Sequence, residues 1–85
     1  MMMPQSDIDK LSLAETDYRD LSTGKIARYD VTGLASDLQA QIHRGQFGCI
    51  FHLTQHGRQI SIYPPAYFPE PEGALEDLKR YLASH

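Results

Sequence analysis

The stretch from Cys49 to Tyr63 constrains the fold most, because it has the pattern of a β-hairpin. Two runs rich in β-branched and aromatic residues, 49–54 and 59–63, flank a short turn that contains Gly57. The pair Pro64-Pro65 then ends the second run, because proline cannot donate a hydrogen bond to a sheet. Both faces of the first run carry bulky side chains, which predicts a strand in the interior of a sheet.

Two helices are predicted on either side of this hairpin. Leu34, Leu38 and Ile42 recur at every fourth position, which predicts an amphipathic helix over residues 33–44. The second helix is predicted over residues 72–84, where three leucines fall on one face, namely Leu75, Leu78 and Leu82.

The N-terminal third predicts one more hairpin. Ser22-Thr23-Gly24 is typical of a turn and lies between two alternating segments, with Ala27, Tyr29 and Val31 expected on the core side. Residues 1–6 are expected to form a flexible tail. The sequence thus predicts a single α+β domain over residues 1–85. Its core is a β-α-β-β-α unit with an extra N-terminal strand, in which two helices pack on an antiparallel sheet of three or four strands.

Composition narrows the function classes. The formal net charge of −3 does not favour nucleic acid in general, although a local basic patch remains compatible with it. A single cysteine and the lack of a secretory or membrane-spanning pattern indicate a cytoplasmic protein. Because two short helices cannot cover both faces of a sheet, we also expect a homodimer.

The segment from Val31 to Pro65 resembles the Phd/YefM family of antitoxins. The resemblance rests on the helical Leu34, Leu38 and Ile42, followed by a glycine-containing loop and a strand that ends at Thr54. A basic-Gly-basic turn follows, here His56-Gly57-Arg58, and then a second strand that ends in proline. The chain departs from the family in its long N-terminal extension and in Ala35-Ser36-Asp37, where members carry basic and amide residues.

The resemblance implies a non-enzymatic protein that dimerises, binds a toxin as its protein partner and contacts operator DNA. In this chain four basic residues could gather into a patch for phosphate groups, namely Lys25, Arg28, Arg44 and Arg58. We expect DNA binding to be weak, given the net charge. Three aromatic residues around the prolines are candidates for contact with the partner: Tyr63, Tyr67 and Phe68. The alternative role of Tyr67 and Phe68 is to cover the core beneath the last helix.

The sequence gives little support to a metal site or a catalytic site. His43, His52 and His56 with Cys49 could hold zinc, but no pair has a recognised metal spacing, so no metal or cofactor is expected. Cys49 and His52 should point to opposite faces of one strand, which argues against a catalytic pair. The alternative function is a stand-alone inhibitor or adaptor, encoded by a mobile element, that binds a protein target without DNA.

Overall fold

The computed structural model describes residues 1–85, and its helices and strands form a single open sheet with one covered face. In chain order the elements are α1 (Gln5–Ile8), β1 (Ser12–Glu15), β2 (Arg28–Thr32), β3 (Leu38–Gly45), β4 (Gly48–Gln55), β5 (Arg58–Ile60) and α2 (Pro71–Ser84). The strands are antiparallel and neighbour one another in the order β1-β2-β3-β4-β5. The α+β class is confirmed, but the sheet has five strands rather than three or four. Neither helix is long and apolar enough to cross a membrane.

The prediction of a helix over residues 33–44 is wrong, because most of this segment belongs to strand β3. A spacing of four fits a helical turn, but four is also an even number, so Leu38 and Ile42 share a face of a strand equally well. Ala40 between them is buried too, while Gln39 and Gln41 alternate onto the other face. The alternation of apolar and polar residues is therefore the pattern that determines this segment.

The central hairpin is confirmed as β4 and β5, joined by the two-residue turn His56-Gly57. Both turn residues have positive φ, 51° and 79°, which suits a two-residue hairpin turn. The second strand ends at Ile60, earlier than expected, and the chain then leaves the sheet edge. It returns to the sheet at Phe68. The backbone N–H of Phe68 donates to the C=O of Cys49 at 2.9 Å, and its C=O accepts from the N–H of Cys49 at 2.7 Å.

The N-terminal hairpin is also confirmed, although its first strand lies earlier than the alternating segment suggested. In strands β1 and β2, Ser12 is opposite Thr32 and Glu15 is opposite Tyr29. Beyond these strands, an isolated β-bridge joins Arg19 to Ile26. Residues 1–6 are not a loose tail. Met3 is buried, and the backbone N–H of Met2 donates to the C=O of Leu82 at 2.9 Å.

The core lies between one face of the sheet and the two helices. The predicted inner residues of β2 and α2 are confirmed: Ala27, Val31, Leu75, Leu78 and Leu82 are buried, and Tyr29 is partly buried against the core. Leu38, Ile42, Phe51 and Leu53 supply the sheet side of this core. Strand β4 lies between β3 and β5, which confirms the interior position predicted from the bulky side chains on both of its faces. One face of the sheet is therefore covered by the helices, which leaves the opposite face, the turns and the sheet edges accessible to a ligand.

Candidate binding surface

The other face of the sheet, which we call the open face, carries no helix. Residues paired across antiparallel strands share a face, so the register places the polar positions of the three central strands side by side here. Ile50 is the only large apolar side chain among them. The nine positions are Arg28, Asp30, Thr32, Gln39, Gln41, His43, Ile50, His52 and Thr54. Water can cover such a surface without an apolar partner.

A hydrogen-bonded chain crosses the open face from β2 to β3. The Nε2 of Gln41 donates to Oδ1 of Asp30 at 2.8 Å, which turns the amide oxygen of Gln41 toward His43. The Nε2–H of His43 then donates to that oxygen at 2.9 Å. Asp30 therefore sets the tautomer of His43 through Gln41 and leaves Nδ1 of the imidazole as its free acceptor.

A second histidine stacks on the first one. His43 and His52 lie diagonally across β3 and β4, with ring centroids 4.2 Å apart and planes tilted by 39°. Burial lowers the pKa of His43 to about 4, and the nearby His52 and Arg28 contribute in the same direction. Burial and Arg28 also lower the pKa of His52. Both imidazoles are thus neutral at neutral pH, which allows them to stack without repulsion.

These pKa values predict a stability that depends on pH. The unfolded chain protonates His43 near its ordinary pKa of 6.5, but the folded chain does so only near about 4. Between these values the unfolded state binds more protons, so the free energy of unfolding should fall as the pH is lowered through this window. Urea unfolding at about pH 7 and about pH 4.5 measures this, and His43→Gln should show a smaller decrease. An equal decrease in both proteins would contradict the assignment.

The four basic residues expected to contact DNA do not form one patch. Arg28 lies on the open face, with its guanidinium 4.2 Å from the centroid of the Tyr18 ring. Arg44 alternates onto the opposite face of the sheet and donates through Nε to the C=O of Ile26 at 3.2 Å. A hydrogen bond to Tyr29 raises the pKa of Arg44, so it stays charged.

The other two basic residues, Lys25 and Arg58, lie on different elements of the fold. Lys25 follows the turn of the N-terminal hairpin and is exposed. Arg58 starts β5 at the other end of the sheet, opposite Gln55, whereas Arg44 lies opposite Cys49. Six residues of β4 separate these two positions, which is about 20 Å along the strand. No single phosphate-binding surface results from these four residues.

The three aromatic residues expected to contact a partner have different surroundings. Tyr63 is 92% exposed and Tyr67 is 46% exposed, as a recognition surface requires. Phe68, in contrast, is partly buried, and its Cβ and Cγ would lie 3.0 and 3.2 Å from a Cβ placed on Gly73 of α2. Phe68 thus joins the proline-rich segment to β4 through its backbone and lies beside α2.

Phe47 is an exposed aromatic residue that the sequence analysis did not single out. Phe47 lies in the two-residue turn between β3 and β4 and is 70% exposed. Its ring packs against Tyr67, with centroids 5.7 Å apart and planes at 59°, close to the edge-to-face arrangement that aromatic rings prefer. We call Phe47 and Tyr67 the aromatic pair. A phenylalanine within a two-residue turn, between Gly45 and Gly48, is the signal that could have identified it.

The histidines and the cysteine do not gather into a metal centre. Cys49 is fully buried on the covered face of β4, whereas His52 is on the open face, so the prediction that they point apart is confirmed. Burial raises the pKa of the Cys49 thiol. His56 lies in the β4–β5 turn and faces Asp37 at 3.7 Å. No group of three or more metal-ligating side chains occurs in the chain.

Comparisons with protein-family models, with curated proteins and with solved structures found no match for this chain.

Proposed function

We propose that this chain is a small, non-enzymatic, cytoplasmic binding protein that holds a protein partner through the aromatic pair. The observation that carries the proposal is the exposure of Phe47, 70%, in contact with a half-exposed Tyr67. Each ring limits the motion of the other, so less conformational freedom is lost when a partner covers them. Tyr and Phe are enriched in the cores of protein interfaces, and Tyr is among the residues that most often act as hot spots there.

The surroundings of the aromatic pair support a protein partner. Phe47 is held in a two-residue turn between paired strands, and Tyr67 precedes Phe68, whose backbone is bonded to Cys49. Both rings are thus presented by backbone that is already fixed.

The proposal is broader than an antitoxin. The resemblance to that family rests on a helix that carries Leu34, Leu38 and Ile42, and the structure has strand β3 over most of that segment. Arg28 and Arg44 lie on opposite faces of the sheet, so operator binding has no shared surface to use. An inhibitor or adaptor that binds a protein target without DNA fits the aromatic pair better, and we propose this role.

Removal of the aromatic pair should abolish partner binding without unfolding the chain. Phe47→Ser with Tyr67→Ser removes one largely exposed ring, one half-exposed ring and the contact between them, so we expect a loss of stability of about 1–2 kcal/mol, which leaves the chain folded. Loss of an interface hot spot costs about 2 kcal/mol or more, so retention of the partner on immobilised chain should fall roughly 30-fold. Quantitative mass spectrometry of the retained proteins measures this loss.

Leu21→Ser is the matched control for this experiment, because Leu21 is 102% exposed but lies at the tip of a different hairpin. It should retain the partner at the level of the unaltered chain. Equal retention by the double variant and the control would contradict the role of the aromatic pair.

The formation of a homodimer remains a prediction, separate from the binding of another protein. The open face is polar and does not require a second copy, so a dimer would have to form through the exposed aromatic residues or a sheet edge. Light scattering at micromolar concentration should give a mass near twice 9.6 kDa. A mass of 9.6 kDa at every concentration would contradict dimerisation but not the binding of another protein.

A further inference from the structure

A cleft of about 240 Å³ opens along β4 at the edge of the sheet, where the chain leaves β5. Its floor is formed by Ile50, Phe51 and His52 of β4. Its walls come from β5, the segment that follows it and α2. They combine the apolar Ile60, Ile62, Pro65 and Ala66 with the polar Gln59, Ser61 and Asp77. Pockets for drug-sized molecules are usually about 300–1,000 Å³, so this cleft suits a group about as large as one amino-acid residue.

The sheet ladder is interrupted at the floor of this cleft. Alternate residues of an antiparallel strand direct their backbone N–H and C=O to the same side. Leu53 pairs with Ile60 of β5, and Cys49 exchanges both backbone hydrogen bonds with Phe68. Phe51 lies between these two residues and must direct its own N–H and C=O to the same side. The residue that would face it in β5 is Ile62, but the chain has left the sheet after Ile60.

Phe51 therefore has a donor and an acceptor without a backbone partner on this side. No hydrogen bond joins its backbone to the departing segment, and its pair with Ile42 of β3 is one of the non-hydrogen-bonded pairs of that ladder. In the hydrogen-bonded pairs of an antiparallel ladder, two opposite residues exchange both N–H···O=C bonds. The gap consequently matches one residue of an extended peptide, which offers both groups at that spacing.

We propose that the cleft binds one apolar residue of an extended peptide segment, paired through its backbone with Phe51. The inference rests on the proposed function in that such a segment would come from the protein partner. The hydrogen bonds would specify an extended backbone, and the walls would specify an apolar side chain. Tyr67 of the aromatic pair directly follows Ala66 in the wall, so both contacts lie along the same edge of the molecule.

Hydrogen exchange followed by NMR tests the premise on the full chain. The Phe51 amide should exchange faster than those of Cys49 and Leu53, although the residue is buried. Addition of N-acetyl-leucine N-methylamide should then slow this exchange and shift the Phe51 amide proton downfield, in a saturable manner. We expect a Kd of about 1 mM for a ligand of this size.

A matched ligand and a matched variant decide between specific and general binding. N-acetyl-N-methyl-leucine N-methylamide lacks the N–H donor and should bind roughly fivefold more weakly. Ala66→Phe should fill the cleft and abolish the shift, whereas Ser22→Phe, in the N-terminal turn, should leave it unchanged. Equal affinity of both ligands, or no shift at Phe51, would overturn the proposal. Neither result would touch the aromatic pair, whose variants are tested by partner retention.

Discussion

Leu78→Ala should lower the stability of the chain more than any exposed substitution can. Leu78 is fully buried on α2, within the core formed with β3 and β4. Truncation of a buried leucine costs about 2–5 kcal/mol, because it loses apolar contact and leaves a cavity. In a domain of this size a loss of about 3 kcal/mol lowers Tm by roughly 12–24 °C. Thermal unfolding monitored by circular dichroism measures this change.

Leu21→Ala is the matched control, because the same side chain is removed at a position that is 102% exposed. It should change Tm by no more than a few degrees, since a surface truncation usually stays within about 0.5 kcal/mol. A Tm shift of the same size in both variants would contradict the placement of α2 on the sheet.

Gly48→Ala should produce the second large effect, at the first residue of β4. Its φ of +116° is a backbone conformation that residues with a side chain rarely adopt. A Cβ there would also lie 2.6 Å from the backbone O of Phe68, so the pairing of Cys49 with Phe68 would have to open. Strain and overpacking together should cost about 2–5 kcal/mol.

Gly57→Ala separates the two causes of this loss. Gly57 also has a positive φ, 79°, but a Cβ there meets nothing within 4 Å. It should cost only about 1–2 kcal/mol, the strain of a left-handed residue. Urea unfolding of both variants gives the comparison. If Gly48→Ala were the milder of the two, the proximity of Phe68 to β4 would be wrong.

The parts of the fold that the sequence predicted share one property: their periodicity has a single interpretation. Leu75, Leu78 and Leu82 have spacings of three and four, which fit a helix but not one face of a strand. Leu34, Leu38 and Ile42 have spacings of four only, which fit both. The polar Gln39 and Gln41 around Ala40 would have distinguished the two, and the error at this segment also changed the strand count.

The candidate surfaces were predictable only in part, because they depend on strand register. Tyr67 was identified from its place among the prolines, but its contact with Phe47 requires the β3–β4 turn to lie beside the proline-rich segment. Likewise, the network through Asp30, Gln41 and His43 follows from a register that spacing along the chain does not reveal. A strand shifted by one residue would have placed these side chains on the other face.

Photo-crosslinking at position 47 tests the central proposal most directly. Phe47 is replaced by p-benzoylphenylalanine, which is similar in shape, and the chain is irradiated in cells of its source. We expect one discrete adduct larger than the 9.6 kDa chain, and none when the same group replaces Leu21. No adduct from position 47, or the same adducts from both positions, would contradict a partner-binding role for the aromatic pair.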